Sequence, residues 1–350
     1  MTTIKAYGTE SPTADLELLQ IERRDVLEND VKIDILYCGV CHSDIHSARN
    51  DWGNAKYPLV PGHEIVGRVL EVGTAVTRYK EGDLVGVGCL VDSCQTCSAC
   101  EDDLEQFCEK GMIGTYNGPN KHTGKQTFGG YSTSIVVREE FVLKVPENLD
   151  IKAVAPLLCA GITTFSPLNH WKVKKGDKVG IIGLGGLGHM GIKFAHAMGA
   201  ETVMITTSPE KAKDAKRLGA DAVLISKDED EMAKHAGSFD FLLNTVPVGH
   251  DMNQYINLLK RDATMVMVGA IEFLEPMHGG SIIMGRKRIA GSLIGGIKET
   301  QEMLDFCGEH GIVSDVEMID MQEINAAFDR VTSNDVKYRF VIDMKSLKDS

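Results

Sequence analysis

The stretch "DKVGIIGLGGLGHMGIKFAHAMGAETVMIT", Asp177–Thr206, decides the fold. A short apolar run, Lys178–Ile182, reads as a buried strand. It runs into "GLGGLG", Gly183–Gly188, which fits G-x-G-x-x-G, and a helical pattern follows. Alone the hexad is weak; between a strand and a helix it has the context of a dinucleotide-binding turn. Gly183 is expected to make the tight turn, Gly185 to let the backbone approach a pyrophosphate, and Gly188 to let the helix sit close to the strand. Together with Leu184, Gly186 and Leu187 they open a helix N-terminus, whose free N–H groups and dipole favour an anion. The other reading is a packing turn with no ligand.

Working outward, "ETVMIT", "DAVLIS", "FDFLLNTV", "TMVMVGA" and "RIAGSLIG" read as further strands, with helical stretches such as "SPEKAKDAKRLGA" and "DMNQYINLLKR" between them. Six strands with helical crossovers predict a doubly wound parallel sheet. An NAD site usually carries an acid about 20 residues past the glycines, on the ribose 2′-OH. Here the second strand ends in "TTSPEK". Thr206, Thr207, Ser208 and Lys211 form a predicted cradle for a 2′-phosphate, so NADP is favoured. Glu210 stands beyond Pro209 and is expected to point out with the helix start; an ordinary Ser/Pro helix cap is compatible with the cradle.

The first third is β-rich. "DVKIDILYCGV" alternates Val31, Ile33, Ile35 and Tyr37 with polar residues, as a half-buried strand does. "PLVPGHEIVGRVLEVG" and "EGDLVGVG" add short runs broken by glycine, which suggests a small barrel or sandwich. The closing "YRFVID" reads as a strand able to return to this first domain. With 350 residues the chain has room for two domains of roughly 100–200 residues each. Apolar residues make up 43%, which excludes a disordered chain. The net charge of -13 argues against a nucleic-acid partner. No apolar run approaches the roughly 20 residues that span a bilayer, and "MTTIKAYGTE" lacks a signal-peptide core, so the expected compartment is the reducing cytosol.

Cysteine usage follows from that compartment. Nine cysteines is an odd number, and four of them crowd into "VDSCQTCSACEDDLEQFC", residues 91–108. A disulfide staple and a redox pair are the alternatives; Cys94, Cys97, Cys100 and Cys108 fit better as a closed tetrahedral zinc shell. "CGVCHSDIHS", "PGHEIVG" and "PLLCAG" concentrate further ligand chemistry. Cys41, His63 and Cys159 would make the Cys₂His set of a catalytic zinc with one open position, although a buried Cys159 could equally be a small hydrophobe.

Taken together, "GVCHSD", "PGHEIVG", the four-cysteine segment, "LLCAGIT" and "GLGGLGHM" resemble the zinc-dependent medium-chain alcohol dehydrogenases. Within them the chain is similar to the cinnamyl-alcohol-dehydrogenase branch and its bacterial NADPH-dependent aldehyde reductases, nearly end to end. The resemblance implies an α/β protein with a β-rich part: a GroES-like catalytic domain, 1–152 and 300–350, and a Rossmann NADP-binding domain, 153–299. It implies two zinc ions per subunit, a catalytic one on Cys41, His63 and Cys159 and a structural one on the other four cysteines. Asp44 then orients the histidine, Glu64 can approach the metal, and Ser43 and His46 relay a proton. His42 and Ser43 lie near the cofactor, and further cofactor contacts fall at Thr163, Thr245, Gly269, Ser292, Leu293 and Ile294.

The implied reaction is reversible reduction of aldehydes to primary alcohols, by a homodimer joined near "RIAGSLIG". Trp52 matches an aromatic pocket residue. Gly114 and Leu293 stand where plant enzymes often carry aromatics, so a broad aldehyde range is expected. The competing readings are an NAD-dependent polyol dehydrogenase and a catalytically idle zinc protein that binds a dinucleotide.

Overall fold

The computed structural model describes residues 1–269 and 272–349. The chain divides into two compact units, Met1–Cys159 with Gly295–Ser350, and Ala160–Ile294. Joints at 152/153 and 299/300 would cut the helices Ile151–Val154 and Ile297–His310. The observed joints fall instead at Cys159–Ala160 and Ile294–Gly295.

The Ala160–Ile294 unit is built on a six-stranded parallel sheet. Its order is Ala222–Ile225, Glu201–Thr206, Lys178–Ile182, Phe239–Asn244, Leu259–Met267, Arg288–Gly291. In chain order that is 3-2-1-4-5-6, the doubly wound arrangement, whose order reverses between Lys178–Ile182 and Phe239–Asn244. Val179, Ile181 and Ile182 are buried, as a strand covered on both faces requires. The "DMNQYINLLKR" helix is shorter than its pattern suggests. It spans Asn253–Leu258, and Leu259 already begins the next strand, because both leucines are needed in the sheet core. The last residue of "TMVMVGA", Ala270, lies outside the described residues.

The other unit centres on a seven-stranded mixed sheet. Its middle strand, Asp30–Val40, pairs antiparallel with Ile65–Val72, with Ser134–Arg138 and with the returning Arg339–Asp343. Val31, Ile33 and Ile35 point inward as their alternation predicts. Tyr37 does not continue the series: a register shift against Ile65–Val72 falls between Ile35 and Tyr37, and Cys38 and Val40 take the buried face. A bulge of this kind bends the strand and re-aims the residues beyond it, and Cys41 is the first residue past the strand end. A two-stranded ribbon, Leu90–Asp92 with Ile113–Gly114, closes a lobe that holds the four clustered cysteines.

Candidate metal centres and nucleotide site

Three separate segments converge at the first centre. Cys41 precedes the helix His42–Ala48; His63 and Glu64 precede the strand Ile65–Val72; Cys159 follows the short helix Ala155–Leu158. One ligand atom from each of Cys41, His63, Glu64 and Cys159 lies within 4.8 Å of the others, and all four residues are buried. The Cys41 and Cys159 sulfurs are 3.9 Å apart. That is far beyond a disulfide bond of about 2.05 Å, but suits two sulfurs each about 2.3 Å from one tetrahedral zinc. Gly62 lets His63 enter: its φ is +100°, and a Cβ there would lie 2.7 Å from the Tyr131 ring.

Asp44 organises this centre without joining it. Fully buried, it accepts from the Cys41 N–H (2.9 Å), the Gly62 N–H (3.1 Å), His63 Nδ1–H (2.9 Å) and the Tyr131 hydroxyl (3.3 Å). A carboxylate can only accept, so Nδ1 carries the proton and Nε2 is left as the donor atom for a metal. Burial works against a charged His63, but Asp44 overrides it and raises the imidazole well above its ordinary value. Glu64 binds Arg339 through Oε1, while its Oε2 has no partner among the described residues. Burial pushes Glu64 up to about 7 against the pull of Arg339. Hydrogen bonding with Cys159 holds Cys41 well below the usual thiol range, and the same contact drives Cys159 up. An orphaned carboxylate oxygen beside two sulfurs and an imidazole nitrogen fits a divalent, sulfur-seeking ion.

The second centre is the lobe. The ligand atoms of Cys94, Cys97, Cys100 and Cys108 also lie within 4.8 Å of one another. All four are free thiols, with 3.9 Å between the sulfurs of Cys94 and Cys100 and 4.0 Å between those of Cys97 and Cys108. Backbone N–H groups aim at them: Cys94 at Cys108 (3.4 Å), Thr96 at Cys94 (3.5 Å), Glu109 at Cys97 (3.4 Å). The Thr96 amide is the main reason Cys94 falls to about 6, whereas burial lifts Cys100 to about 11. Four sulfurs this close together suit a tetrahedral, sulfur-seeking ion.

The glycine turn has the expected strain and space. Gly183 has φ +91°, and a Cβ on Gly188 would sit 1.9 Å from the Gly183 carbonyl, whereas Gly185 faces open space within 4 Å. Such a gap beside a helix N-terminus suits a pyrophosphate. Thr206 ends its strand, and Thr245, Gly269 and Ser292 lie just past the carboxyl ends of three others, where ligands of this architecture bind. Thr245 donates its hydroxyl to the Ile182 carbonyl (2.8 Å), and Gly269 backs directly on Thr245. Lys211 donates Nζ to the Leu184 carbonyl (3.1 Å), which brings its charge to the turn, while Glu210 is exposed. Thr207 and Leu293 are exposed, Ser208 and Ile294 half-buried, and Thr163 is buried on the helix Ala160–His170.

Beside the first centre, His42 and His46 stack with ring centroids 5.2 Å apart, and Trp52 lies 5.5 Å beyond His46. The Ser43 hydroxyl makes no hydrogen bond among the described residues. His46 Nδ1 donates to Asp51 (2.7 Å), a partner that sequence reasoning missed. Its only signal is the "RND" turn, where Asn50 at φ +58° folds the chain back. Arg339, Tyr116 and Tyr131 were missed as well, since each comes from a distant segment.

Two family models match the chain: "Alcohol dehydrogenase GroES-like domain" over residues 27–147 and "Zinc-binding dehydrogenase" over residues 186–309. The chain is 57% identical over 349 residues to the aldehyde reductase YahK of Escherichia coli, covering 99% of each. It is 50% identical to the NADP-dependent alcohol dehydrogenase C 1 of Mycolicibacterium smegmatis, covering 99% of this chain and 100% of that one. Among solved structures it superposes on a cinnamyl alcohol dehydrogenase of Sorghum bicolor with a TM-score of 0.95, 44% identity and 98% of both chains covered. A cinnamyl alcohol dehydrogenase of Helicobacter pylori complexed with NADP(H) gives a TM-score of 0.92 and 41% identity, with 98% of this chain and 99% of that one covered.

Proposed function

The chain belongs to the zinc-dependent medium-chain alcohol dehydrogenases, in their cinnamyl-alcohol-dehydrogenase-like branch, and from that membership we infer how its residues divide the work. It is an NADP-dependent oxidoreductase that reduces aldehydes to primary alcohols, reversibly. The observation that carries the assignment of residues is the convergence of Cys41, His63 and Cys159, with Asp44 behind the imidazole.

Zinc held there supplies Lewis-acid polarisation of the carbonyl, and NADPH held by the other unit supplies hydride. The protein's own part is positional and protonic. Two thiolates and a neutral imidazole would balance the charge of the ion, so Cys41, His63 and Cys159 would hold a Lewis acid able to accept a weak carbonyl donor. Asp44 fixes the imidazole by its Nδ1 proton. Ser43, whose hydroxyl is uncommitted, delivers the proton that the product oxygen needs; His46, held by Asp51, faces water and replaces it. The four lobe cysteines hold a second zinc, which gives two per subunit.

The nucleotide belongs to Ala160–Ile294 and the chemistry to the other unit. Thr206, Thr207, Ser208 and Lys211 receive the 2′-phosphate, a reading supported by the missing acid and by the lysine at the turn. Trp52 forms one wall of the substrate site, and Gly114 leaves room for both aliphatic and aromatic aldehydes. Exposed Ile283 and Met284, just before the edge strand Arg288–Gly291, support a homodimer through that edge. Cytoplasmic residence is part of the reading, because both sulfur clusters need reduced thiols.

The test is a panel of aliphatic and aromatic aldehydes given to zinc-loaded protein with NADPH or NADH. NADPH should be oxidised faster, and Thr206→Asp should lower the NADPH-over-NADH ratio by about tenfold or more through repulsion of the phosphate. Equal use of both nucleotides, or a ratio unmoved by the substitution, would overturn the cradle; no turnover of any aldehyde would overturn the residue assignment.

A further inference from the structure

The return arm of the cysteine lobe carries a residue that the reaction above leaves without a role. After Ile113–Gly114 pairs back onto Leu90–Asp92, the chain runs through Thr115, Tyr116 and Asn117. Both neighbours of Tyr116 are tied down. Thr115 donates its N–H to the Cys89 carbonyl (3.1 Å) and its hydroxyl to the Gly88 carbonyl. Asn117 donates its N–H to the Thr127 carbonyl (3.0 Å) and its side-chain amide to the Asn54 carbonyl (3.2 Å).

Held in this frame, Tyr116 reaches two functional segments at once. Its hydroxyl donates to the backbone carbonyl of Ser43 (3.2 Å) and lies 3.3 Å from the Ser47 hydroxyl, both on the helix His42–Ala48. Its ring meets the His63 imidazole, centroids 5.7 Å apart and planes inclined by 50°.

We propose that Tyr116 is a positioning residue, which fixes the first turn of the His42–Ala48 helix, and with it the Ser43 hydroxyl, against the metal-binding imidazole of His63. The proposal rests on the proton-relay reading of Ser43. That hydroxyl makes no bond of its own among the described residues, so only the backbone can hold it in place. The helix has seven residues, too few to be stable by its own hydrogen bonds. It is anchored from outside at two adjacent points. Asp44 ties it to the Cys41 and Gly62 amides and to His63; Tyr116 ties the carbonyl of the preceding residue. The peptide between Ser43 and Asp44 is therefore gripped from both sides. A misplacement of about 1 Å at such a group can cost about 10²-fold in rate, which makes this grip worth testing by removing one atom.

Tyr116→Phe keeps the ring and deletes the donor. On zinc-loaded protein it should lower kcat about tenfold, leave the KM for NADPH unchanged, and enlarge the solvent deuterium isotope effect as the proton step becomes limiting. Zinc retention in a chelator competition should match the parent. Tyr116→Leu, which also deletes the ring beside His63, should in addition surrender zinc about tenfold more readily. Parent-like kcat and isotope effect in Tyr116→Phe would overturn the proposal. A fall in kcat matched by an equal loss of zinc or of melting temperature would also overturn it, since the residue would then be structural only. If the parent enzyme reduced no aldehyde, the functional reading would fail by itself; the chelator comparison with Tyr116→Leu would still judge the contact with His63.

Discussion

Cys94 and Cys108, the outer members of the lobe, are 14 positions apart, whereas Cys41 and Cys159 are 118 apart. Both sets bring ligand atoms within 4.8 Å of each other, so the same distance is reached by local and by long-range means. The difference extends to what surrounds the sulfurs. The lobe is steadied mainly by its own backbone amides. The other centre is steadied by side chains from elsewhere: Asp44, Tyr131 and Arg339. A site wrapped by its own loop needs only that loop to fold, and it keeps all its ligand positions filled by sulfur. A site assembled by the whole sheet can leave one position open, because its ligands are fixed from behind.

If that contrast is right, deleting one ligand should break different things. Cys159→Ser should produce the largest effect. Turnover should fall by more than about 10³-fold, with the melting temperature nearly unchanged and the lobe zinc retained, as read by steady-state assay and metal analysis. Retained full activity would remove Cys159 from the mechanism. Cys100→Ala should do the reverse: the lobe zinc is lost and stability falls by about 3 kcal/mol, which is about 6–12 °C in melting temperature for a unit of this size. The lobe also grips the start of the helix Ile297–His310, through Glu105 on the Ile297 N–H (3.0 Å) and Asp103 on Lys298 (2.8 Å). Loosening should therefore spread beyond the lobe. An unchanged melting temperature would mean that the lobe is not a structural metal site.

The same contrast explains what the sequence made legible. The glycine turn and the lobe are written in consecutive residues, because a tight turn and a wrapped ion both limit spacing. The strand Asp30–Val40 was readable by its alternation up to Ile35 and misread at Tyr37, since a bulge depends on the partner strand rather than on the strand itself. Cys41, His63 and Cys159 carried no local signal of belonging together; only the likeness of whole motifs joined them. Tyr116, Tyr131 and Arg339 carried neither. Their roles exist only once the sheet brings residue 339 beside residue 64, and the lobe's return arm beside the His42 helix.

Two smaller substitutions sharpen the comparison at the surrounding groups. Asp44→Asn keeps size and shape but presents an N–H₂ where four donors converge. It leaves at least one of those donors facing another donor. Metal affinity at the first centre and kcat should each fall by about 10–100-fold, and chelator competition should show the loss at that centre alone. Equal loss from both centres would mean that Asp44 supports the unit rather than the histidine.

Ser93→Ala is the matching change at the lobe and should be the mildest. The Ser93 hydroxyl is buried, 3.2 Å from the Cys100 sulfur and 3.1 Å from the Gln95 amide, so it is the nearest lobe counterpart of Asp44. Three of the four sulfurs nonetheless take a backbone N–H that no side-chain substitution can remove. One neutral hydrogen bond is worth about 1 kcal/mol, which is about 2–4 °C in melting temperature here, and turnover should not change. A loss of lobe zinc as complete as that in Cys100→Ala would show that this shell, too, depends on a side chain, and the distinction between a self-wrapped and an assembled centre would no longer hold.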